Sequence, residues 1–489
     1  MSYILSKSSY LKGLQCPKAL YFYKHYYTLK DPVSPEQQAI FNRGHEIGKL
    51  AQQLFPGGID VTPASPKFYK QALQKTTALI GSGQAIIYEA GLVGLNTLVY
   101  CDILVKNGNG YDLYEVKSSL KLSKTYYQDI AIQFSVAKAS GLYINKAYLI
   151  NINANYILED TLNLTKLFTI TDCTDYCKDQ EEGIKEKIGE LIKLLQQTQI
   201  PKIEIGPHCN SPYSCDFKGT CWKSVPEDSI LYLNGIDSDF LHTMQLNGIN
   251  RISEIEDVST LKDHLKIQIV SRQTNKAFIE IEKIKQFIND LRFPLTFFDI
   301  ESAMPAVPKY KGTHPFHLLP GIFSSITLYD TKLTNEYVWI HETNDDPREN
   351  FILAFLKAIP KEGDLLVYDI VSEKNIIKKL ISDFPKYKEV LDGIMLRMKD
   401  IAKPFSEKWY YHPEFKGGYS LKSVCKHVLN SDLFSNLNIK NGIIAMHAYE
   451  KLPYESDLFE RARIMDDLKE YSLADVRALI MLYSFFKQI

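Results

Sequence analysis

Residues 95–117 read LNTLVYCDILVKNGNGYDLYEVK and contain two strand-like segments joined by a turn. Apolar and aromatic residues dominate 95–106 and 111–117, while the NGNG stretch at 107–110 is typical of a turn between strands. A third strand-like segment, 85–93, precedes them. The pattern predicts a small antiparallel meander of three strands.

Helices are predicted on both sides of this meander. A Ser-Pro pair at 34–35 begins a predicted helix that passes through His45 and ends before residue 56. After the meander, the periodicity predicts a helix at 126–141, a strand at 146–153 and a charged amphipathic helix at 180–197. The order α-β-β-β-α-β indicates an α/β fold for this part of the chain.

Three charged residues lie in the second and third strands of the meander. Asp102 lies inside 95–106, and Glu115 and Lys117 are two residues apart in 111–117, so the last two project from one sheet face. Carboxylates bind Mg²⁺ or Mn²⁺ against a scissile phosphate, and an adjacent lysine orients or deprotonates the attacking water. An isolated Glu-x-Lys is also typical of a surface strand with alternating charges, so the neighbouring residues decide between the two interpretations.

Three further polar residues flank this set. His45 lies on the first predicted helix, Glu89 on the first strand and Gln133 on the helix after the meander. With them, the pattern resembles the PD-(D/E)XK nucleases of the RecB type. The resemblance implies a restriction-endonuclease-like domain in which His45 is an additional metal ligand. It also implies that Gln133 steers the lysine or the substrate backbone.

Four of the eight cysteines frame this predicted domain. Cys16 lies near the start, and Cys209, Cys215 and Cys221 follow at six-residue spacing. This arrangement resembles the iron-sulfur variety of the same nucleases, including the CRISPR adaptation nucleases, although their usual Cys-x2-Cys beginning is missing here. The resemblance implies a structural [4Fe-4S] cluster, whereas four thiolates by themselves are equally suited to Zn²⁺. We expect the remaining cysteines to be packing residues, namely Cys101, Cys173, Cys177 and Cys425.

A second acidic pattern begins in the apolar segment 297–301 (FFDIE). Asp299 and Glu301 fall on one face of the predicted strand, and burying both carboxylates is unfavourable unless a cation or water satisfies them. Near the C-terminus, Tyr471 and Asp475 are four residues apart on one helical face. This spacing allows the phenol to position water beside a metal-bound carboxylate.

Residues 365–373 (LLVYDIVSE) add a third part to this pattern. Together the three segments resemble the DnaQ-like exonucleases of the RNase H-like fold, whose four acidic residues bind two metal ions. Asp369 stands where that family has Asn, and a serine precedes Glu373 where an aromatic residue is usual. We predict Glu373 as the third acidic residue, with Asp369 as its fallback. The implied catalytic residues of this domain are Asp299, Glu301, Glu373, Tyr471 and Asp475.

Two motifs between these segments extend the resemblance to nearly the whole chain. Residues 410–413 (YYHP) and 417–422 (GGYSLK) match a bacterial family of unknown function that fuses a RecB-type nuclease to a DnaQ-like domain. His412, Tyr419 and Lys422 in these motifs suit either phosphate contacts or packing, so we assign them no role. The predicted architecture is a PD-(D/E)XK domain at 1–226, a helical connector at 227–292 and an RNase H-like domain at 293–489.

The composition restricts the function further. The formal net charge is -1 and no run of 18 apolar residues occurs, so we expect a cytoplasmic protein that binds nucleic acid through local basic patches and cations. The resemblances imply metal-dependent, exonucleolytic hydrolysis of single- or double-stranded DNA in repair or defence, with a helicase or defence-system partner. The alternatives are a nucleic-acid-binding scaffold with an inactive C-terminal domain and an RNA-processing exonuclease.

Overall fold

The computed structural model describes residues 3–329 and 334–489. The chain forms two compact units. The first unit contains residues 1–225 and 305–316, and the second contains residues 226–304 and 317–489. Both combine helices with sheets, which confirms the α/β class. Within the described residues, no helix is long and apolar enough to cross a membrane.

The first unit is built on a mixed sheet. Its strands are β1 (Leu5–Ser6), β2 (Ile59–Asp60), β3 (Ile86–Gly94), β4 (Thr97–Asn107), β5 (Gly110–Lys117), β6 (Ile144–Ile152) and β7 (Phe168–Asp172). The order is β2-β3-β4-β5-β6-β7, and β1 lies beside β4. Strands β3, β4 and β5 are antiparallel, which confirms the predicted meander. The meander is part of a larger sheet, because β6 pairs in parallel with β5 and β1 in parallel with β4.

Helices cover both faces of this sheet. The helices of this unit are α1 (Lys7–Gln15), α2 (Pro17–His25), α3 (Pro35–Gln52), α4 (Tyr69–Gly81), α5 (Lys124–Ala139), α6 (Leu164–Leu167), α7 (Thr174–Leu195) and α8 (Lys218–Cys221). Apolar residues of α5 and α7, such as Phe134 and Leu191, pack with Leu104 and Leu149 on one face. Ile47 of α3 packs on the other face with Ile103 and Ile150, which are the sequence neighbours of Leu104 and Leu149. This alternation is the period-two pattern of strands that are buried on both faces.

Local hydrogen bonds explain where two helices begin. Ser34 caps α3 by accepting the Gln37 N–H at 3.2 Å, which confirms the predicted start. Helix α7 begins at Thr174, earlier than the predicted residue 180. Asp172 accepts the Thr174 N–H at 2.9 Å, so the earlier start is stabilised by a side chain outside the amphipathic pattern.

Residues 305–316 pack in the first unit although they follow a strand of the second. Ala306 lies in the same apolar cluster as Ile47, and the Leu158 N–H donates to the Thr313 carbonyl at 2.9 Å. The predicted domain boundaries contain no such excursion, because nothing in the local pattern of these residues indicates it.

The second unit contains a five-stranded sheet and helices on both of its faces. The strands of the unit are β8 (Phe278–Ile279), β9 (Leu295–Ala303), β10 (Leu319–Leu328), β11 (Thr334–Ile340), β12 (Asp364–Val367), β13 (Met398–Asp400) and β14 (Tyr410–Tyr411), of which β8 and β14 pair only with each other. Its helices are α9 (Ser238–Leu246), α10 (Asp263–Thr274), α11 (Ile281–Asn289), α12 (Pro347–Ala358), α13 (Ile370–Asp383), α14 (Lys388–Arg397), α15 (Lys403–Ser406), α16 (Leu421–His427), α17 (Gly442–Lys451) and α18 (Leu458–Gln488).

The five-stranded sheet has the order β11-β10-β9-β12-β13. Strands β9, β10 and β11 are antiparallel, whereas β12 runs parallel to β9 and β13 parallel to β12. Phe297 of β9 packs with Leu473 and Leu479 of α18, and the adjacent Phe298 packs on the opposite face with Phe351 of α12. Asp299 and Glu301 share the face of Phe297, so both carboxylates lie on the α18 side. Residues 227–292, the predicted helical connector, contain α9, α10 and α11 and belong to this unit.

Candidate functional sites

The first acidic centre lies where β4 and β5 separate. Their pairing starts at the facing residues Ile103 and Tyr114, so Asp102 comes just before the paired part of β4. The Asp102 Oδ2 accepts the Val116 N–H at 2.7 Å and thereby bridges the gap between the strands. A split between strands leaves room for polar side chains that a continuous ladder would exclude.

Glu115 is the best-connected carboxylate of this centre. Its side chain is 2% exposed, and its Oε1 accepts hydrogen bonds from Lys117 Nζ and from Lys7 Nζ, each at 2.7 Å. The Gln133 amide of α5 donates to its other oxygen. Lys117 also pairs with Asp129 of α5. The predicted Asp102, Glu115, Lys117 and Gln133 therefore converge, together with two residues that the sequence analysis missed, Lys7 and Asp129.

The carboxyl groups of this centre have pKa values shifted in opposite directions. Burial by itself would raise the pKa of Glu115, but the ammonium groups of Lys117 and Lys7 hold that pKa well below its ordinary value. Burial raises the pKa of Asp102 well above its ordinary value, and the charge of Glu115 raises it further. Burial and the same neighbour raise the pKa of Glu89 to about 7. Such opposed shifts in one cluster are typical of functional sites.

Glu89 has a backbone conformation that is rare for its residue type. Its φ is 53° although it lies inside β3, where the register passes from the Tyr88–Ile103 pair to the Ala90–Cys101 pair. A left-handed residue other than glycine costs roughly 1–3 kcal/mol and persists where the surrounding structure enforces it. The β3–β4 pairing is therefore interrupted where Glu89 lies opposite Asp102. This position supports the predicted membership of Glu89 in the centre.

His45 lies on the exposed side of α3. Among the described residues, its imidazole does not come within 4.8 Å of the carboxylates of Asp102 and Glu115 as part of a common ligand group. Its role as a metal ligand therefore stays a prediction.

The four predicted cluster cysteines line one small cavity, together with His208. Cys16 lies between α1 and α2, and Cys221 ends α8. The loop that carries Cys209 and Cys215 is fixed to α1, because the Gln15 amide donates to the carbonyls of His208 and Tyr213, both at 2.7 Å. The chain thus brings residues from its start and from residues 209–221 into one thiol-lined cavity.

The donor set of this cavity fits a thiolate-bound group. Burial raises the pKa of Cys221, and the ammonium of Lys18 opposes that rise. In the described part of the chain, no three of the cysteine sulfurs lie within 4.8 Å of one another. The other cysteines are buried among apolar residues, as expected for packing, and comprise Cys101, Cys173, Cys177 and Cys425.

The second acidic centre lies between β9 and α18. One ligand oxygen each of Asp299, Glu301 and Asp475 lies within 4.8 Å of the other two, a spacing at which a single cation can be held. Burial raises the pKa of Asp299 to about 6. Burial, together with Asp299, raises the pKa of both Glu301 and Asp475 to about 8. Their mutual repulsion would be relieved by a divalent cation.

Two more predicted residues adjoin this trio. The Tyr471 hydroxyl donates to Glu301, and burial raises the pKa of the phenol well above its ordinary value. Glu373 of α13 is 5% exposed, and burial with the charges of Asp299 and Glu301 raises its pKa well above its ordinary value. Its Oε2 has no hydrogen-bond partner among the described residues. A buried carboxylate oxygen without a partner is unfavourable, and a bound cation would satisfy it.

Asp369 has a different role from Glu373. It is exposed, has a φ of 67° and caps α13 by accepting the Ser372 hydroxyl at 2.7 Å and the Ser372 N–H at 3.3 Å. One turn later in the helix, Glu373 faces the acidic trio. The structure therefore favours Glu373, the predicted third residue, over the fallback.

Gly442 brings helix α17 close to Glu301. A Cβ at this position would lie 3.0 Å from Glu301 Oε2, so any larger residue would crowd the carboxylate. Lys422 also adjoins the centre, because its Nζ lies 5.8 Å from the Tyr471 ring centroid. The sequence pattern alone places neither Gly442 nor Lys422 in this centre. The GGYSLK motif at 417–422 was a signal for Lys422, whereas a lone glycine gives none.

Comparison with known proteins concerns the second unit. No curated protein matches the chain. Residues 296–420 match the model of a domain of unknown function, DUF2779, a stretch that contains Asp299, Glu301 and Glu373 but ends before Tyr471 and Asp475.

Proposed function

We propose that the chain is a metal-dependent nuclease with two acidic centres, one in each unit. The observation that carries the proposal is the half-buried trio of Asp299, Glu301 and Asp475, whose ligand oxygens lie within 4.8 Å of one another. Glu373 approaches the same centre with an oxygen that has no partner among the described residues. Four acidic residues arranged in this way suit the binding of two divalent cations, which stabilise the attacking and leaving oxygens of a phosphodiester.

The topology of the second unit supports the DnaQ-like interpretation. Its three antiparallel strands followed by two parallel ones, with α18 over the acidic face, are compatible with an RNase H-like domain. In this proposal, the Tyr471 hydroxyl orients a water molecule next to the carboxylates. Burial keeps bulk water away, which strengthens each electrostatic contact with the phosphodiester.

The first unit supplies the second part of the proposal. Asp102 and Glu115 are the proposed ligands of Mg²⁺ or Mn²⁺, and Lys117 is the proposed group that orients the attacking water, with Gln133 fixing Glu115. The mixed sheet with an interrupted β4–β5 edge is compatible with a PD-(D/E)XK domain. His45 remains a proposed additional ligand.

The thiol-lined cavity is the proposed site of a [4Fe-4S] cluster. Cys16, Cys209, Cys215 and Cys221 would hold it, and Zn²⁺ is the alternative for the same four thiolates. Its chemistry would be structural, because it would join the start of the chain to the loop that follows α7. The charge of Lys18 beside Cys221 is suited to thiolates.

DNA is the proposed substrate and RNA the alternative, since the acidic centres act on the phosphate and do not by themselves distinguish the sugars. A scaffold with an inactive second unit is a rival from another class. The unsatisfied Oε2 of Glu373 favours an active centre over this rival.

The test uses the full chain purified anaerobically. Cleavage of end-labelled single- and double-stranded DNA and of matched RNA is followed with Mg²⁺, with Mn²⁺ and with chelator, for the wild type, Lys117→Ala and Asp299→Ala. Glu190→Ala, at an exposed position of α7, is the matched control. We expect each active-centre variant to lose a different part of the cleavage pattern. Absence of metal-dependent cleavage by the wild type on every substrate would overturn the proposal and favour the scaffold.

A further inference from the structure

Lys7, the first residue of α1, reaches the acidic centre of the first unit. Its Nζ lies 2.7 Å from Glu115 Oε1, the same oxygen that accepts from Lys117 at 2.7 Å. The Lys7 side chain is 26% exposed and Glu115 2% exposed. One buried carboxylate oxygen therefore holds two ammonium groups, only one of which belongs to the Glu-x-Lys pair.

The backbone fixes the position of Lys7 firmly. The two residues before it form β1, in which Leu5 pairs with Thr97 of β4, the strand that carries Asp102. The Leu5 side chain is buried, and its N–H donates to the Asn96 carbonyl at 2.9 Å. On the helix side, Ser6 and Ser9 exchange capping hydrogen bonds of 2.7 and 3.2 Å. Lys7 thus stands between a paired strand and a capped helix, the kind of rigid support that catalytic side chains need.

Packing alone does not explain a lysine at this position. Taking an ammonium group out of water is costly, and an apolar residue commonly replaces a buried ion pair without loss of stability. The carboxylates around it are Glu115, Asp129 and Asp102, all of which attract Lys7. Lys117 binds both Glu115 and Asp129, whereas Lys7 is hydrogen-bonded to Glu115 alone, so Lys7 is the ammonium that can exchange this carboxylate for another anion.

We propose that Lys7 contacts the scissile phosphodiester in the first centre, and that in the absence of cation and nucleic acid its ammonium rests on Glu115. The proposal deepens the proposed nuclease function and rests on it. Lys7 and a divalent cation compete for Glu115 Oε1, because both are positive and both need that oxygen. When the cation binds there and to Asp102, while Lys117 holds Asp129, the anion that Lys7 can still pair with is a non-bridging phosphate oxygen. Its positive charge then stabilises the negative charge that develops on the phosphate during hydrolysis.

The experiment compares Lys7→Met and Lys7→Arg in the full chain that also carries Asp475→Ala, so that the second centre does not contribute. Lys146→Met is the matched control, because Lys146 also forms a 2.8 Å pair with a carboxylate of the same sheet, that of Asp172. Two quantities are measured: the affinity for Mn²⁺ by calorimetry without nucleic acid, with Glu115→Ala as the blank, and the cleavage of end-labelled DNA. Thermal unfolding verifies that each variant is folded.

The expected result has opposite signs in the two measurements. Lys7→Met should bind Mn²⁺ more tightly, because a competing positive charge is gone, yet cleave about 100-fold more slowly. Lys7→Arg should recover part of the cleavage, and Lys146→Met should behave like its parent. A merely structural role would weaken both metal binding and cleavage.

The remaining outcomes distinguish a failure of the Lys7 proposal from a failure of the proposed nuclease function. Weaker Mn²⁺ binding by Lys7→Met, or cleavage equal to that of its parent, would overturn the role of Lys7 and leave the nuclease proposal standing. If the Asp475→Ala parent itself cleaved no substrate, the first centre would not be a nuclease. The role of Lys7 would then be overturned together with that part of the proposed function.

Discussion

The carboxylates of Glu301 and Asp475 lie within 4.8 Å of each other, although Glu301 belongs to the central strand β9 and Asp475 to the C-terminal helix α18. Burial and the neighbouring Asp299 raise the pKa of each to about 8. Folding therefore brings together acidic groups that repel one another. Near neutral pH, such an arrangement needs either protons or a cation, and this requirement is the physical basis of the proposed metal centre.

The pH dependence of stability tests this requirement. The folded-state pKa values of Glu301 and Asp475 are about 8, whereas an unfolded carboxyl titrates near pH 4, so between these limits the metal-free folded chain binds more protons than the unfolded chain. Raising the pH through this window should therefore lower the Tm measured in chelator. Mg²⁺ replaces the protons, so its stabilising effect should be larger at pH 8 than at pH 6. The Asp475→Asn variant should show a smaller difference, and an equal Mg²⁺ effect at both pH values would contradict the prediction.

Glu373 and Asp369 should differ sharply when they are substituted. Glu373→Gln removes a buried carboxyl that would be charged against a bound cation, and it should lower metal-dependent trimming by roughly 100-fold or more. Asp369→Ala removes only a helix cap and should cost about 1 kcal/mol of unfolding free energy. Trimming assays and chemical denaturation of both variants measure these effects. Unchanged trimming by the Glu373→Gln, Asp369→Ala double variant would support the scaffold interpretation instead.

Tyr471→Phe isolates the hydroxyl that donates to Glu301. We expect trimming to fall by about 100-fold, the lower end for loss of a positioned proton-transfer or water-orienting group. The apparent affinity for Mg²⁺ should change little, because the carboxylates stay in place. Tyr483→Phe, on the same helix and largely buried, is the control. A loss of equal size in both variants would show that packing, and not the hydroxyl, is responsible.

The thiol-lined cavity makes a prediction about composition. Anaerobically purified protein should contain iron and inorganic sulfide and absorb visible light, and Cys209→Ser should lose both iron and colour. The same variant should unfold at a lower temperature, because the loop that ends at Cys221 would no longer be tied to α1. Cys425→Ser, a buried cysteine outside the cavity, should keep the iron. Stoichiometric zinc in place of iron would contradict the prediction.

Much of both centres could be predicted from short spacings. Glu115 and Lys117 are two residues apart on a strand, and Tyr471 and Asp475 are four apart on a helix, so local periodicity alone orients each pair. The α/β class and the antiparallel meander follow from the same periodicities, and the structure confirms both. Joining the separate pairs into centres required the family resemblance.

Other parts of the sites depend on long-range pairing that leaves no local signal. Lys7 joins Glu115 because the two-residue strand β1 pairs with β4, which is far from it in the sequence. The positive φ of Glu89 arises where the β3–β4 register is interrupted, and the close approach of Gly442 to Glu301 depends on how α17 packs on β9. Alternating polarity and helical spacing describe one element at a time, so they do not reveal these contacts.

The most direct test of the account is the cleavage of end-labelled DNA in Mg²⁺ by the double variant Lys117→Ala, Asp299→Ala, measured beside its two single variants. With two independent centres, each single variant should retain the products of the intact centre, and the double variant should produce none. Cleavage by the double variant at the wild-type rate would contradict the account, because it would show that neither acidic centre is responsible for the activity.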